Sequence, residues 1–265
     1  MRIDAVTDRP PVPTVRFPLF VPLVAVAAVT LAATWGGLDF ALSAACYDAG
    51  TRTWTHAGDP LWVFIDDHAE KLSVPIVLAA VGMVVAGRHL PSKKHWLRPG
   101  LFLLAVAAIA PGFMVNGVLK GAWGRPRPLH LEEFGNVFDA VNYQPFYEFG
   151  DQPSEHKSFP SGHATMAFFT ITPAFVFGAT RRKQAYAWLA CGLAIGTVVG
   201  TARVVQGNHF FTDVVWGGML VYATCCAFRP IFLRVEGDAA SPVWRERSRP
   251  VSEPPVEQAE TRVAA

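Results

Sequence analysis

Two histidines and one aspartate in this sequence have the types and spacing that nucleophilic and acid–base chemistry requires. His209 and Asp213 are four residues apart, so on a helix they share one face and can form a hydrogen bond. A carboxylate that holds one ring nitrogen sets the tautomer of the imidazole and leaves the other nitrogen as a nucleophile. Asp213 also stands in an apolar stretch, where a charged residue usually has a function. The pattern predicts a nucleophile, His209, oriented by Asp213; a purely structural buried pair is the alternative.

The second histidine, His163, follows a short polar segment at the start of another apolar stretch. Ser161 is a suitable helix N-cap, and Gly162 allows a ligand to approach the backbone. A helix that begins here would direct its free N–H groups and the positive end of its dipole at one point, which favours an anion. His163 lies in the first turn, where it can give or take a proton.

Four cations complete the set of residues whose side chains could take part in a reaction. Lys120, Arg125 and Arg127 follow a third apolar stretch, and Arg203 ends a fourth. A guanidinium matches two phosphate oxygens, whereas an ammonium supplies a compact charge. Taken alone, a basic cluster at the end of a span is more often an anchor that reaches the membrane interface. Combined with two histidines, these cations are what phosphoryl transfer needs around the transferred group.

Six apolar stretches must position these residues. They run roughly over 17–38, 72–87, 99–119, 162–180, 184–202 and 210–233, and 51% of the 265 residues are hydrophobic. Uncharged runs of about 18 residues or more indicate membrane spans rather than core helices. We therefore predict an all-α integral membrane protein with a six-helix transmembrane bundle over residues 17–235. Residues 1–16 and 236–265 are rich in proline and charge, and we expect disordered cytoplasmic tails there.

The distribution of charge orients the bundle. Basic residues between 88 and 98, at 181–183 and at 234 indicate the cytoplasmic side, because Lys and Arg are enriched there. Both termini are then cytoplasmic, and the loops 39–71, 120–161 and 203–209 are extracytoplasmic. This counting places Lys120, His163, Arg203 and His209 at the same membrane face. We therefore expect the active site at the extracytoplasmic face of the membrane.

The connection 120–161 is long for a compact bundle, and long loops are usually functional. It alternates aromatic residues with acids, and either an aromatic belt at the interface or a cap over a lipid head group explains that composition. The four cysteines lack the spacing of a zinc site or a disulfide framework. We expect no cofactor, no metal and no nucleic-acid partner.

The three polar clusters resemble the signature of the type 2 phosphatidic acid phosphatase superfamily, also called the lipid phosphate phosphatases. The three motifs of that signature match, in order, Lys120, Arg127 and Pro128 (K-x6-R-P); Pro160, Ser161, Gly162 and His163 (P-S-G-H); and Arg203, His209 and Asp213 (S-R-x5-H-x3-D). One departure is Ala202, where the family often has serine. The resemblance covers roughly residues 100–220.

This resemblance implies a role for each matching residue. His209 would attack phosphorus and form a phosphohistidine, with Asp213 orienting it, and His163 would protonate the leaving oxygen and then activate water. The phosphate would be held by Lys120, Arg127, Ser161, Gly162 and Arg203. The family needs no metal. Arg125 falls inside the first motif without matching a specified position, so its role stays open.

The sequence is most similar in character to bacterial members of the family that act on envelope lipids. Lipid A phosphatases, undecaprenyl pyrophosphate phosphatases and phosphatidylglycerophosphate phosphatases all fit, and the run Gln206–Phe210 favours lipid A. We expect a multi-pass protein of the bacterial inner membrane whose site faces the periplasm or exterior. Its partners would be a phospholipid or glycolipid phosphate and the bilayer. The alternatives are a lipid-to-lipid phosphotransferase, a vanadate-dependent haloperoxidase and a non-catalytic phospholipid-binding or transport protein.

Overall fold

A computed structural model describes residues 15–136, 141–150, 156–178 and 181–233 of the chain. Its α-helices are α1 (Phe20–Trp35), α2 (Leu38–Ala44), α3 (Pro60–Ala69), α4 (Val74–His89), α5 (Leu97–Ala107), α6 (Lys120–Ala122), α7 (Gly162–Phe168), α8 (Thr172–Phe177), α9 (Arg182–Val205) and α10 (Phe211–Phe232). Short 3₁₀ segments connect several of them, at Glu70–Ser73, Pro91–Trp96, Pro128–His130, Glu132–Phe134 and Phe169–Ile171. Strands β1 (Tyr47–Asp48) and β2 (Thr53–Trp54) form an antiparallel hairpin.

Apolar helices long enough to cross a membrane form a large part of the structure. Within the described part of the chain, four qualify: Lys71–His89, Pro91–Ala122, Arg182–Val205 and Phe211–Phe232. A fifth span results if the bent pair of α1 and α2 is counted as one. The stretch expected over 162–180 is a shorter apolar helix, Gly162–Phe177. The mostly helical, multi-pass character is confirmed, whereas the count of six spans stays a prediction.

The first apolar stretch, 17–38, forms helix α1 and ends in a bend that leads to α2. It breaks at two glycines, and the second, Gly37, has a φ of 65°, a left-handed conformation that glycine adopts without strain. The chain turns by 66° between α1 and α2. Asp39 is therefore carried into the protein, where it is fully buried, instead of lying in a loop beyond the first span.

The third span contains a π-helical segment, Ala108–Leu119, which ends where Lys120 begins α6. Pro111 lies inside this segment and has no N–H to donate to the preceding turn, which disturbs regular α-helical hydrogen bonding. The Asn116 side chain donates through Nδ2 to the Pro111 carbonyl at 2.8 Å. This side-chain hydrogen bond therefore lies within the π-helical segment, about one turn before Lys120.

A row of glycines on α9 brings three helices together. A Cβ on Gly196 would collide with the Phe168 ring, and one on Gly200 would collide with Val214. Small residues at four-residue spacing allow close helix packing in membranes. The close approach sets the last turn of α9, which carries Arg203, beside α7 and α10.

Aromatic packing shapes the long connection and the hairpin. Trp123 donates through its indole N–H to the Phe146 carbonyl at 2.8 Å, and Phe146 stacks on Trp216 of α10 at a centroid distance of 5.5 Å. In a second cluster, Phe134 lies against Phe40, Tyr47 and Trp54. The described aromatic residues of the connection thus largely pack inside the protein, although Tyr147 and Phe149 are exposed.

The predicted tails are almost entirely outside the described residues. At the edge of the first tail, Val15 is buried and donates its N–H to the Gly178 carbonyl at 2.8 Å. Two acids of the long connection, Asp139 and Asp151, also lie outside the described residues.

Candidate active site

His209 and Asp213 lie together at the start of α10. His209 Nδ1 is 3.6 Å from Asp213 Oδ2, slightly longer than a hydrogen bond. The same carboxylate oxygen accepts from the Phe210 N–H at 2.9 Å and from Ser158 Oγ at 2.6 Å. The first of these bonds is a helix-capping contact. Asp213 therefore caps the start of α10 and also lies beside His209, and its catalytic role stays a prediction.

The His209 ring is 2% exposed and sits in the loop that precedes α10. Burial lowers its pKa to about 4, and this outweighs the opposite effect of the Asp213 carboxylate. The charges of Arg203 and Arg127 lower the pKa further. The imidazole is consequently neutral at physiological pH, which is the form that has a free electron pair for nucleophilic attack.

Arg125 contacts Asp213 from the opposite side. Its Nη1 donates to Asp213 Oδ1 at 2.6 Å and to Thr212 Oγ1 at 2.8 Å, and its Nη2 donates to Asp39 Oδ2 at 2.9 Å. Its Nε donates to the Gln144 carbonyl at 3.2 Å. The guanidinium is fully buried and lies over the Phe210 ring. Arg125 therefore binds protein carboxylates and is not part of the predicted phosphate-binding set.

Asp39 is a second residue whose role the sequence did not reveal. Its Oδ1 accepts from the Thr212 backbone N–H at 3.0 Å, and its Oδ2 accepts from Thr212 Oγ1 at 2.6 Å. This carboxylate thus holds the first turn of α10 as well as Arg125. An acid directly after an apolar stretch was the available signal, because buried charges are rare without a partner. Nothing in the sequence indicated which partner it has.

The segment before α7 is joined to the nucleophile's helix. Ser161 is the N-cap of α7, and its Oγ accepts from the Ala164 N–H at 3.4 Å. The Ser161 N–H donates to the Asp213 carbonyl at 3.1 Å. Lys120 approaches from the third span: its Nζ is 2.9 Å from the position that a Cβ on Gly162 would occupy. Gly162 therefore leaves the space into which the ammonium extends.

Arg203 and His163 meet at a third unexpected residue, Asp66 of α3. Arg203 Nη1 forms an ion pair with Asp66 Oδ1, and His163 Nε2 is 4.0 Å from the same oxygen. The Arg203 side chain is buried, and its Nε has no hydrogen-bond partner among the described residues. A buried donor without a partner is costly, so this N–H is available to a ligand.

Arg127 completes the cluster of cations. It is half-buried, and its pKa is lowered first by burial and next by the nearby charge of Arg203. Two guanidinium groups that repel each other beside a neutral histidine form a site that an anion would stabilise. The structure thus brings all eight predicted site residues to one end of the bundle. In the described part of the chain, no group of three His, Cys, Asp or Glu side chains is placed to hold a metal ion.

A family model described as the PAP2 superfamily matches residues 100–235. The chain belongs to the PAP2 superfamily. The match contains all three motifs and confirms the resemblance inferred from them. The prediction of a membrane lipid phosphatase, and hence of a hydrolase, is confirmed together with it.

Two relatives of this PAP2 protein have names that describe an activity. The lipid A 4'-phosphatase of Francisella tularensis subsp. novicida is 31% identical over 188 residues, which is 70% of this chain and 82% of that protein. The lipid A 1-phosphatase of Rhizobium johnstonii is 32% identical over 124 residues, 46% of this chain and 42% of that protein. A solved transmembrane PAP2 type phosphatidylglycerolphosphate phosphatase from Bacillus subtilis aligns with a TM-score of 0.49 and 23% identity, over 82% of this chain and 96% of that one.

Proposed function

We propose that this PAP2 protein removes a phosphate monoester from lipid A through a phosphohistidine intermediate. The observation that carries the proposal is the neutral, buried His209 beside Asp213, with Arg127 and Arg203 close enough to lower its pKa. A binding or transport protein needs cations for a phosphate, but it does not need a nucleophile held by a carboxylate.

The reaction would proceed in two displacements. Arg203, Arg127 and Lys120 neutralise the phosphate oxygens, and Nε2 of His209 attacks phosphorus because Nδ1 faces Asp213. The new N–P bond forms as the P–O bond to the lipid breaks, and His163 donates a proton to the departing oxygen. His163 then takes a proton from water, whose oxygen attacks phosphorus and breaks the N–P bond. Inorganic phosphate leaves, and both histidines return to their starting forms.

The placement of the site supports six spans with an extracytoplasmic active site. Lys120 and Arg203 stand at the ends of two apolar helices, and Gly162 and Phe211 begin two others, so the site occupies one end of the bundle. Basic residues occupy the opposite helix ends, at Arg88 and 93–94 and at 181–183. By the positive-inside rule, that opposite end is cytoplasmic. We infer that, in a bacterium, the protein lies in the inner membrane with its site toward the periplasm.

This orientation can be tested with single cysteines in a variant that lacks the four native ones. A cysteine at exposed Glu133 should react with an impermeant thiol reagent added to intact spheroplasts, and one at exposed Lys94 should react only after lysis. The reverse pattern would invert the orientation.

The surroundings of Lys120 support the proposal that the substrate is a lipid. An apolar cavity of about 250 Å³ lies between α4, the π-helical segment and α7, and Asn116 of its lining is one turn before Lys120. Outward-facing apolar residues such as Phe20, Leu78 and Ile231 are 65–76% exposed, as expected for helices in contact with lipid. Lipid A is the preferred substrate because both named relatives act on it.

The deciding experiment measures phosphate release by the purified protein from lipid A, phosphatidylglycerophosphate, phosphatidic acid and undecaprenyl pyrophosphate, one at a time. We expect release from lipid A and none from the His209→Ala variant. Equal release by that variant would disprove the mechanism. Release that requires a second lipid would identify a phosphotransferase instead.

A further inference from the structure

Asp66 is the acidic side chain that faces the phosphate-binding cations from α3. Its Oδ1 forms an ion pair with Arg203 Nη1 and is 4.0 Å from His163 Nε2. Its side chain is 24% exposed, so its charge is only partly screened by solvent. Neighbouring Asp67, one residue later on the same helix, is exposed. Only one of these two adjacent carboxylates therefore reaches the site.

The position of Asp66 indicates which side of the pocket holds the leaving group. If His163 protonates the leaving oxygen, as in the proposed function on which this inference rests, that oxygen must come within hydrogen-bond distance of the His163 ring. A carboxylate at 4.0 Å from the ring nitrogen then adjoins the leaving group. The opposite side belongs to His209, because attack and departure are in line.

A fixed negative charge at this place distinguishes two kinds of leaving group. When a phosphate monoester is cleaved, the leaving group is an alcohol, which is neutral and can donate its O–H to a carboxylate. When a pyrophosphate is cleaved, the leaving group is itself a phosphate, and a second anion would be forced beside Asp66. Like charges at such separations repel strongly where solvent is partly excluded.

We propose that Asp66 makes this site selective for lipid phosphate monoesters, with a hydroxyl leaving group on a sugar or glycerol, over lipid pyrophosphates. Asp66 also neutralises part of the charge of Arg203, which reduces the attraction of the site for a more highly charged substrate. The residue thus acts on substrate choice through charge, and its effect differs from that of a residue that only orients His163.

The test compares dodecyl phosphate with dodecyl pyrophosphate, which share one alkyl chain and differ only in the leaving group. Initial rates of phosphate release give kcat/KM for each with the full-length protein in detergent. For Asp66→Asn we expect the ratio of pyrophosphate to monoester kcat/KM to rise by about tenfold, the order expected from removing one partly screened charge nearby. Asp66→Glu keeps the charge and should keep the low ratio.

Asp67→Asn is the matched control, because it removes the neighbouring charge at an exposed position, and its ratio should equal that of the wild type. A ratio that stays unchanged in Asp66→Asn, with both activities reduced equally, would overturn the proposal and leave Asp66 a purely orienting residue. A wild-type protein that releases phosphate from no lipid would instead refute the proposed function.

A second measurement does not require turnover. The rise in Tm caused by methylenediphosphonate, a pyrophosphate analogue that the enzyme cannot cleave, is compared with the rise caused by inorganic phosphate. Asp66→Asn should increase the first rise more than the second. Equal changes for the two anions would overturn the proposal even if the variant is inactive.

Discussion

Arg125 and Asp213 are joined by a hydrogen bond of 2.6 Å, and both side chains are completely buried. Arg125 also binds Asp39, so a single guanidinium lies between two carboxylates. The carboxylates raise the pKa of Arg125 even though burial alone would lower it. Burying three charges is costly, and removing the central one leaves two unpaired anions. The arginine that stands two residues before the motif position is therefore structural, while Arg127 faces the site.

Replacing each of these two arginines should consequently give different effects, on stability for Arg125 and on activity for Arg127. Arg125→Ala is expected to destabilise the protein by about 3–5 kcal/mol, because it breaks a buried ion pair. Arg127→Ala is expected to leave Tm nearly unchanged and to lower kcat/KM by about 10²–10³-fold, the usual cost of losing a transition-state donor. Thermal unfolding in detergent and phosphate release measure the two quantities. Equal losses of Tm in both variants would contradict the distinction.

The depressed pKa of His209 predicts how stability depends on pH. Its folded-state pKa of about 4 lies below the unfolded value of 6.5, so between these values the unfolded chain binds more protons. The contribution of His209 to stability is unaffected above about pH 6.5 and declines as the pH falls toward 4. The total loss is on the order of 3 kcal/mol at 1.36 kcal/mol per pKa unit.

The measurement compares Tm between pH 8 and pH 4 for the wild type and His209→Gln, which has no titrating ring. The wild type should lose more stability below pH 6.5 than the variant. Parallel curves would show that His209 keeps an ordinary pKa in the folded protein.

Gly162 should not tolerate a side chain, because the Lys120 ammonium extends into the space that the side chain would need. A Cβ there would lie 2.9 Å from Lys120 Nζ, so Gly162→Ala should displace the ammonium, and we expect kcat/KM to fall about tenfold, a fraction of the cost of deleting a charged donor. Gly121→Ala is the control, because nothing lies within 4 Å of its added Cβ. An equal loss in Gly121→Ala would show that the effect of alanine does not depend on a contact with Lys120.

Ser158 is expected to act through Asp213. Its Oγ donates to Asp213 Oδ2 at 2.6 Å, so Ser158→Ala should cost about 1–3 kcal/mol in stability and reduce kcat more than it raises KM. Ser43→Ala is a matched control, since Ser43 is also buried but its Oγ has no hydrogen-bond partner among the described residues. Unfolding curves and steady-state kinetics report both effects. A Ser158→Ala protein with wild-type kcat would exclude a role for Ser158 in orienting His209 and Asp213.

Local patterns carried much of the information about this protein. The four-residue spacing of His209 and Asp213 predicted their proximity, although His209 lies in the loop before α10 and the capping contact of Asp213 with Phe210, rather than a shared helix face, brings the two together. Ser161 caps α7 for the same local reason. The apolar stretches predicted the helices because a membrane span must be both long and uncharged. Because the cationic residues stand at or just beyond helix ends, they lie together at one end of the bundle.

Tertiary packing decided what the spacing left open. Arg125 and Asp39 are 86 residues apart, and Arg203 and Asp66 are 137 apart, so no local pattern relates them. The bend at Gly37 turns Asp39 inward, and the close packing of α9 brings Arg203 to Asp66. The sequence by itself determined which residue types serve the chemistry and at which end of each helix they stand. Only the folded structure decided which cation meets which carboxylate, because ion pairs depend on distances of a few ångströms between separate helices.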